Sequence, residues 1–259
     1  MKNGRLLLGT NWKMNKTIRE SVEYTRQLLG RLEKLDRSDA AQVFLIPPYT
    51  AIEAVKRASE GMLWVGAQNM HWAERGAYTG EISALMLEEL GVDLVELGHA
   101  ERRRYFNETD ADLNRKVSTA LRHGLRPLVC VGEQLEDKRR GIGKETVKNQ
   151  LRTIFTGVDA ASAPRVIVAY EPVWAIGEEG AEIGMDYVRE IQAHIRTTLE
   201  EMLGPGATAV PVIYGGDVNL RNAAALVSES GTDGLFVGRA ALDAESFAEL
   251  IGASLLAMG

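Results

Sequence analysis

Only one cysteine, Cys130, occurs in 259 residues. That excludes an intramolecular disulfide and a cysteine-rich zinc site, and it makes a reducing compartment the natural setting. Basic residues are also short, 30 against 36 acidic, for a formal net charge of -6. A nucleic-acid partner, which calls for a broad basic face, is therefore not expected. Long apolar runs are missing. The leucines at 6–8 follow Lys2 and Arg5, but three residues are too few for a signal-peptide core, and no other run approaches membrane length. The expectation is a soluble, cytoplasmic protein with no membrane partner. The seven prolines are scattered, and no Pro/Gly/Ser-rich linker marks a boundary, so residues 1–259 are expected to form a single domain.

What is present is an alternation of short β-branched runs with longer amphipathic segments. Strands are predicted at Leu6–Asn11, Val43–Ile46, Leu63–Ala67, Leu94–Leu97, Leu128–Val131, Val166–Ala169, Val210–Ile213 and Gly234–Val237. Segments such as Ile18–Leu35 and Tyr187–Leu203 carry apolar residues at helical spacing. Eight strand–helix units in about 250 residues match an α/β fold of the (β/α)8 barrel type; an open doubly wound sheet is the alternative.

In such a barrel, functional groups sit where strands end. Those positions hold Asn11 and Lys13, His99, Glu171, Gly215 and Gly216, and Gly238. Each has a plainer reading taken alone. A histidine before a helix is most often a cap, a lysine or glutamate a solvated charge, and a glycine pair a turn. Cys130 reads as a buried thiol, and Trp12, Met14 and Trp174 as packing residues. Their coincidence at one rim is what points to chemistry. A phosphorylated carbonyl compound could rest its phosphate on backbone N–H groups near Gly177, Gly216 and Gly238. Glu171 could remove a proton beside the carbonyl, His99 could polarise the oxygens, and Lys13 could supply positive charge. The helix expected after His99 favours a neutral imidazole. No metal is needed, and no metal-ligand cluster is evident.

"GTNWKMNKT", "GAQNMHWAERGAYTGEIS", "ELGHAERR", "CVGE", "AYEPVWAIG", "YGGDVN" and "DGLFVGRAALD" resemble, in order and across essentially the whole chain, the motifs of the triosephosphate isomerase family. The resemblance implies a single-domain TIM barrel, a cofactor-free isomerase of a small phosphorylated ketose or aldose, and a homodimer. It also implies roles by motif. Asn11 and Lys13 match the electrostatic pair, His99 the electrophile and Glu171 the base. Glu101 matches the carboxylate that pairs with the lysine, while Gly177, Asp217, Gly238 and Arg239 fall at the phosphate site. Residues from Pro172 to Glu182 would form a lid. The segment Asn69–Ile82 is long for a βα loop and contains Trp72 and Tyr78, which a second subunit would cover.

Four positions depart from the family pattern. Ala100, the lid sequence "GEEGAE", Asp217 and Arg239 stand where Ser, "GTGKTA", Ser and Gly are usual. Such changes, with the opening motif, resemble a subgroup acting on four-carbon ketose phosphates, converting L-erythrulose 1-phosphate to D-erythrulose 4-phosphate. The glycolytic triose reaction is the alternative, and a non-catalytic sugar-phosphate sensor a remote one, since a fold does not establish function. An acidic group near a phosphate needs compensation. Asp217 is accordingly expected to accept a hydrogen bond from the lid backbone, with Arg239 offsetting its charge and the lid glutamates facing solvent.

Overall fold

The structure, a computed structural model, describes residues 5–176 and 183–258. Eight parallel strands form it: β1 (Leu6–Asn11), β2 (Ala41–Ile46), β3 (Trp64–Ala67), β4 (Leu94–Leu97), β5 (Arg126–Val131), β6 (Ile167–Tyr170), β7 (Val212–Tyr214) and β8 (Gly234–Val237). Each strand pairs with the next, and β8 pairs with β1, so the sheet closes into a barrel. The open-sheet alternative is thereby excluded. Strand ends differ from the predicted ones by up to two residues; β7, for example, begins at Val212 rather than Val210.

Helices surround the barrel: α1 (Ile18–Leu32), α2 (Ile52–Ala58), α3 (Ala84–Glu89), α4 (Ala100–Phe106), α5 (Asp110–Arg122), α6 (Leu135–Arg139), α7 (Gly143–Ile154), α8 (Met185–Leu203), α9 (Ala223–Glu229) and α10 (Ala244–Leu256). Their starts are coded locally. Thr17 and Thr109 each form a capping box, with Glu20 and Asp112, satisfying N–H groups that the first turn leaves open. Among the described residues no helix is long and apolar enough to cross a membrane.

Alternation along the strands divides the core into two layers. Outward residues such as Leu8, Val43, Val129 and Val168 pack with helix residues including Leu28, Val117, Ile191 and Phe247. Inward residues, among them Leu7, Phe44, Ile46, Leu94, Leu128, Ile167 and Phe236, fill the barrel. One glycine makes this filling possible. A Cβ on Gly9 would stand 2.1 Å from the Phe44 ring, so β1 must leave that space to β2's aromatic side chain. The filling forms a firm floor, and the strand ends that carry the candidate residues rise from it.

Candidate active site

At the C-terminal mouth of the barrel lies a cavity of about 750 Å³, within the range that holds a small ligand. Asn11, Lys13, His99, Glu101, Glu171, Asp217, Gly238 and Arg239 all line it. Gly215 and Gly216 line it as well, so the site residues singled out from the sequence meet in one place, Gly177 apart. Gly177 lies outside the described residues, as do the lid glutamates Glu178, Glu179 and Glu182. Asn219 and Arg221 also line the cavity, and the sequence reading did not include them.

Glu171 follows directly on β6. Its N–H donates to the Val131 carbonyl at 2.8 Å, which ties it to β5. The close approach depends on Gly132, where a Cβ would fall 1.9 Å from the Glu171 carbonyl oxygen. The side chain is buried, and its Oε2 has no hydrogen-bond partner among the described residues. A buried carboxylate oxygen left unpaired is unusual enough to need an explanation, and readiness to take a proton supplies one. Its Oε1 lies 3.8 Å from His99 Nε2.

His99 caps α4. Its Nδ1 accepts the Glu101 N–H at 3.1 Å. An acceptor nitrogen carries no proton, so this contact assigns the proton to Nε2, the nitrogen nearer Glu171. Lys13 reaches across from β1, and its Nζ donates to Glu101 Oε1 at 2.7 Å. The lysine backbone is strained, with φ of 54°; that left-handed conformation costs a non-glycine residue about 1–2 kcal/mol. Two contacts hold it there. Its N–H donates to Asn11 Oδ1 at 2.6 Å, and its carbonyl accepts Gln68 Nε2 at 2.8 Å. The same turn leaves Met14 97% exposed, which corrects its reading as a packing residue. Trp12 is fully buried, as expected. Half-buried Trp174 donates its Nε1–H to the buried Glu133, which also accepts from the hydroxyls of Tyr170 and Tyr187.

Asp217 accepts from Asn219 Nδ2 at 3.0 Å. Of the expected lid, residues 177–182 lie outside the described residues, while Ala175 and Ile176, at its start, line the same cavity as Asp217 and Arg239.

A further acidic residue was read only as part of a strand. Glu96, third in β4, is wholly buried. Its Oε2 accepts Asn11 Nδ2–H at 2.6 Å, and its Oε1 accepts the Cys130 thiol at 3.7 Å. Burial first, and then the Glu171 carboxylate beside it, push the Glu96 carboxyl well above the usual carboxylate range. Glu96, His99 and Glu171 bring ligating atom types within 4.8 Å of one another. The sequence reading saw no such cluster because it left Glu96 out. Two of these groups are already engaged: Glu96 through Asn11 and Cys130, and His99 through the Glu101 N–H.

Taken together, a closed (β/α)8 barrel with a carboxylate, an imidazole and an ammonium group converging on a polar cavity defines a barrel built for acid–base chemistry on a small polar molecule. The chain belongs to the triosephosphate isomerase family, whose model matches residues 6–254. It is 44% identical over 247 residues to an L-erythrulose-1-phosphate isomerase of Mesorhizobium japonicum, covering 95% of each chain. A protein of the same name from Brucella abortus is 43% identical over 94% of each. A triosephosphate isomerase of Alkaliphilus oremlandii is 42% identical, over 95% of this chain and 98% of that one.

Proposed function

We propose that the protein is a cofactor-free isomerase that interconverts L-erythrulose 1-phosphate and D-erythrulose 4-phosphate. The observation that carries the reading is the buried pair at the cavity floor, Glu171 Oε1 and His99 Nε2, 3.8 Å apart. In L-erythrulose 1-phosphate the carbonyl is at C2. Glu171 takes the proton from C3, and the C–H electron pair forms the C2=C3 bond of an enediolate. The Nε2–H of His99 hydrogen-bonds the two oxygens and relays a proton between them, while Lys13 supplies positive charge beside them. Glu171 then returns its proton to C2 and the carbonyl forms at C3. Numbered from the other end, the product is D-erythrulose 4-phosphate. One carbon is oxidised as its neighbour is reduced, and no atom is gained or lost.

On the far side of the cavity we place the phosphate, near Gly238, Arg221 and Arg239. Two guanidinium groups suit a phosphate dianion, and their charge offsets Asp217. The four-carbon substrate is favoured over the triose by the names of the Mesorhizobium and Brucella relatives and by the departures at Ala100, Asp217 and Arg239. The Alkaliphilus relative favours the triose, and its identity is only two points lower than the highest of these. Competing isomerisation of L-erythrulose 1-phosphate and glyceraldehyde 3-phosphate decides between them. We expect kcat/KM to favour the tetrulose by at least about tenfold; a preference for the triose would overturn the substrate assignment.

The exposed apolar groups support a homodimer through the 69–82 loop. Trp72, Tyr78 and Phe106 line one shallow depression, and Tyr78 and Phe106 are 47% and 65% exposed. Gln68, at the start of this loop, is bonded to Lys13, next to exposed Met14. Sedimentation at micromolar concentration should give a dimer mass; a monomer would refute this. With its single thiol buried, the protein is suited to the cytoplasm, and recovery from an exported fraction would contradict that placement.

A further inference from the structure

The proposed chemistry leaves Glu96, a buried acid beside His99 and Glu171, without a task. Glu96 stands on the inward face of β4, two residues above Leu94, which belongs to the apolar filling of the barrel. A carboxyl in such a place opposes folding unless it is hydrogen-bonded, and even then a well-packed apolar residue is often as stable or more so. Stability alone therefore gives no reason for it.

We propose that Glu96 is a positioning residue: it fixes the orientation of the Asn11 amide, and through it holds the Lys13 backbone where the reaction needs it. This rests on the isomerase reading above. The relay consists of two short contacts. Glu96 Oε2 accepts from Asn11 Nδ2, and Asn11 Oδ1 accepts from the Lys13 N–H, both at 2.6 Å. An amide has a donor end and an acceptor end. Turned over, Asn11 would set its NH₂ against the Lys13 N–H, donor facing donor, and would bring its carbonyl oxygen against the Glu96 oxygen. With an acceptor at position 96, only one orientation satisfies both neighbours. That orientation supports the left-handed backbone at Lys13, φ 54°, from which the side chain reaches Glu101 and the cavity. The environment, buried and beside a second carboxylate, favours the protonated acid at Glu96, and the uncharged acid still offers its carbonyl oxygen to Asn11.

Two substitutions separate the hydrogen bond from the charge. Glu96→Gln keeps an acceptor oxygen for Asn11 and cannot ionise; Glu96→Leu has similar volume and no acceptor. We expect the Gln variant to stay within about threefold of wild-type kcat, and the Leu variant to lose about tenfold to a hundredfold in kcat, the size of effect a misplaced reacting group produces. KM should move less than kcat, and Tm should be unchanged or higher in both. A merely structural Glu96 would instead give a lower Tm in the Leu variant with kcat per folded site unaltered. The side-chain amide resonances of Asn11 read the relay without turnover: they should shift strongly in the Leu variant and little in the Gln variant. Wild-type kcat in the Leu variant, or an equal loss in both variants, would overturn the proposal, as would Asn11 resonances indifferent to position 96. If the wild-type protein isomerises neither sugar phosphate, it is the isomerase reading that fails, and the Asn11 resonances still decide whether the relay exists.

Discussion

Glu171→Gln is expected to lower kcat by about 10³-fold, with little change in KM or Tm. The size follows from the role, since proton transfer by a positioned side chain contributes about 10²–10⁴-fold. The direction follows from the geometry. Glutamine fills the same volume at the end of β6, and the backbone bond to the Val131 carbonyl does not depend on the side chain. What is lost is an acceptor whose buried Oε2 has no partner among the described residues. Glu96 is the neighbouring buried carboxyl, but it is bound to Asn11 and Cys130 and favours its protonated form. Folding should not suffer, because the substitution removes one of two neighbouring buried acids. Steady-state kinetics on protein of verified Tm make the test. A kcat within tenfold of wild type would show that Glu171 is not the base.

Lys13→Met is expected to lower kcat/KM by about 10²–10³-fold, again with Tm nearly unchanged. Methionine keeps an unbranched stem, and the contacts that hold the strained backbone, from Asn11 and Gln68, involve main-chain atoms at position 13. The substitution therefore removes the cation and little else. Its partner Glu101 is 43% exposed and turns to water when the ammonium group goes, and such half-exposed pairs contribute only about 0–1 kcal/mol to stability. An oxyanion that develops beside a fixed charge depends on it far more; losing a single stabilising donor costs about 10²–10³-fold. The loss should grow with the negative charge of the substrate, so a phosphorylated substrate should suffer more than its unphosphorylated analogue. Equal losses for both would assign Lys13 to the enediolate alone, and no loss for either would remove it from the site.

Much of the architecture is legible in the sequence. All eight strands fall where β-branched runs predict them, because parallel strands buried on both faces must be continuously apolar. Helix α4 begins at the residue after His99, as the order of side chains suggested. Placing Lys13, His99 and Glu171 at one rim needed only the rule that they end strands or begin the loops that follow; Asp217 and Arg239 were placed there by the resemblance to the family motifs. The strand ends were less exact, as at β7, because the residues just before that strand are apolar too.

The chain's order of apolar and polar residues, then, determined the eight strand–helix units and the strand ends that carry the polar groups. These depend on periodicity and on local caps, both of which are written in neighbouring residues. Closure of the barrel decided the rest. β4 reads LVEL with all four residues buried, so alternation along the strand does not say whether Glu96 faces the helices or the barrel axis. Only the pairing of eight strands into a ring sets Glu96 against Asn11 of β1 and Cys130 of β5, 85 and 34 residues away. The left-handed turn at Lys13 and the exposure of Met14 have the same origin. They follow from contacts with Asn11, Gln68 and Glu101, two of which lie more than fifty residues along the chain, and a contact of that range exists only once the fold has brought its two ends together.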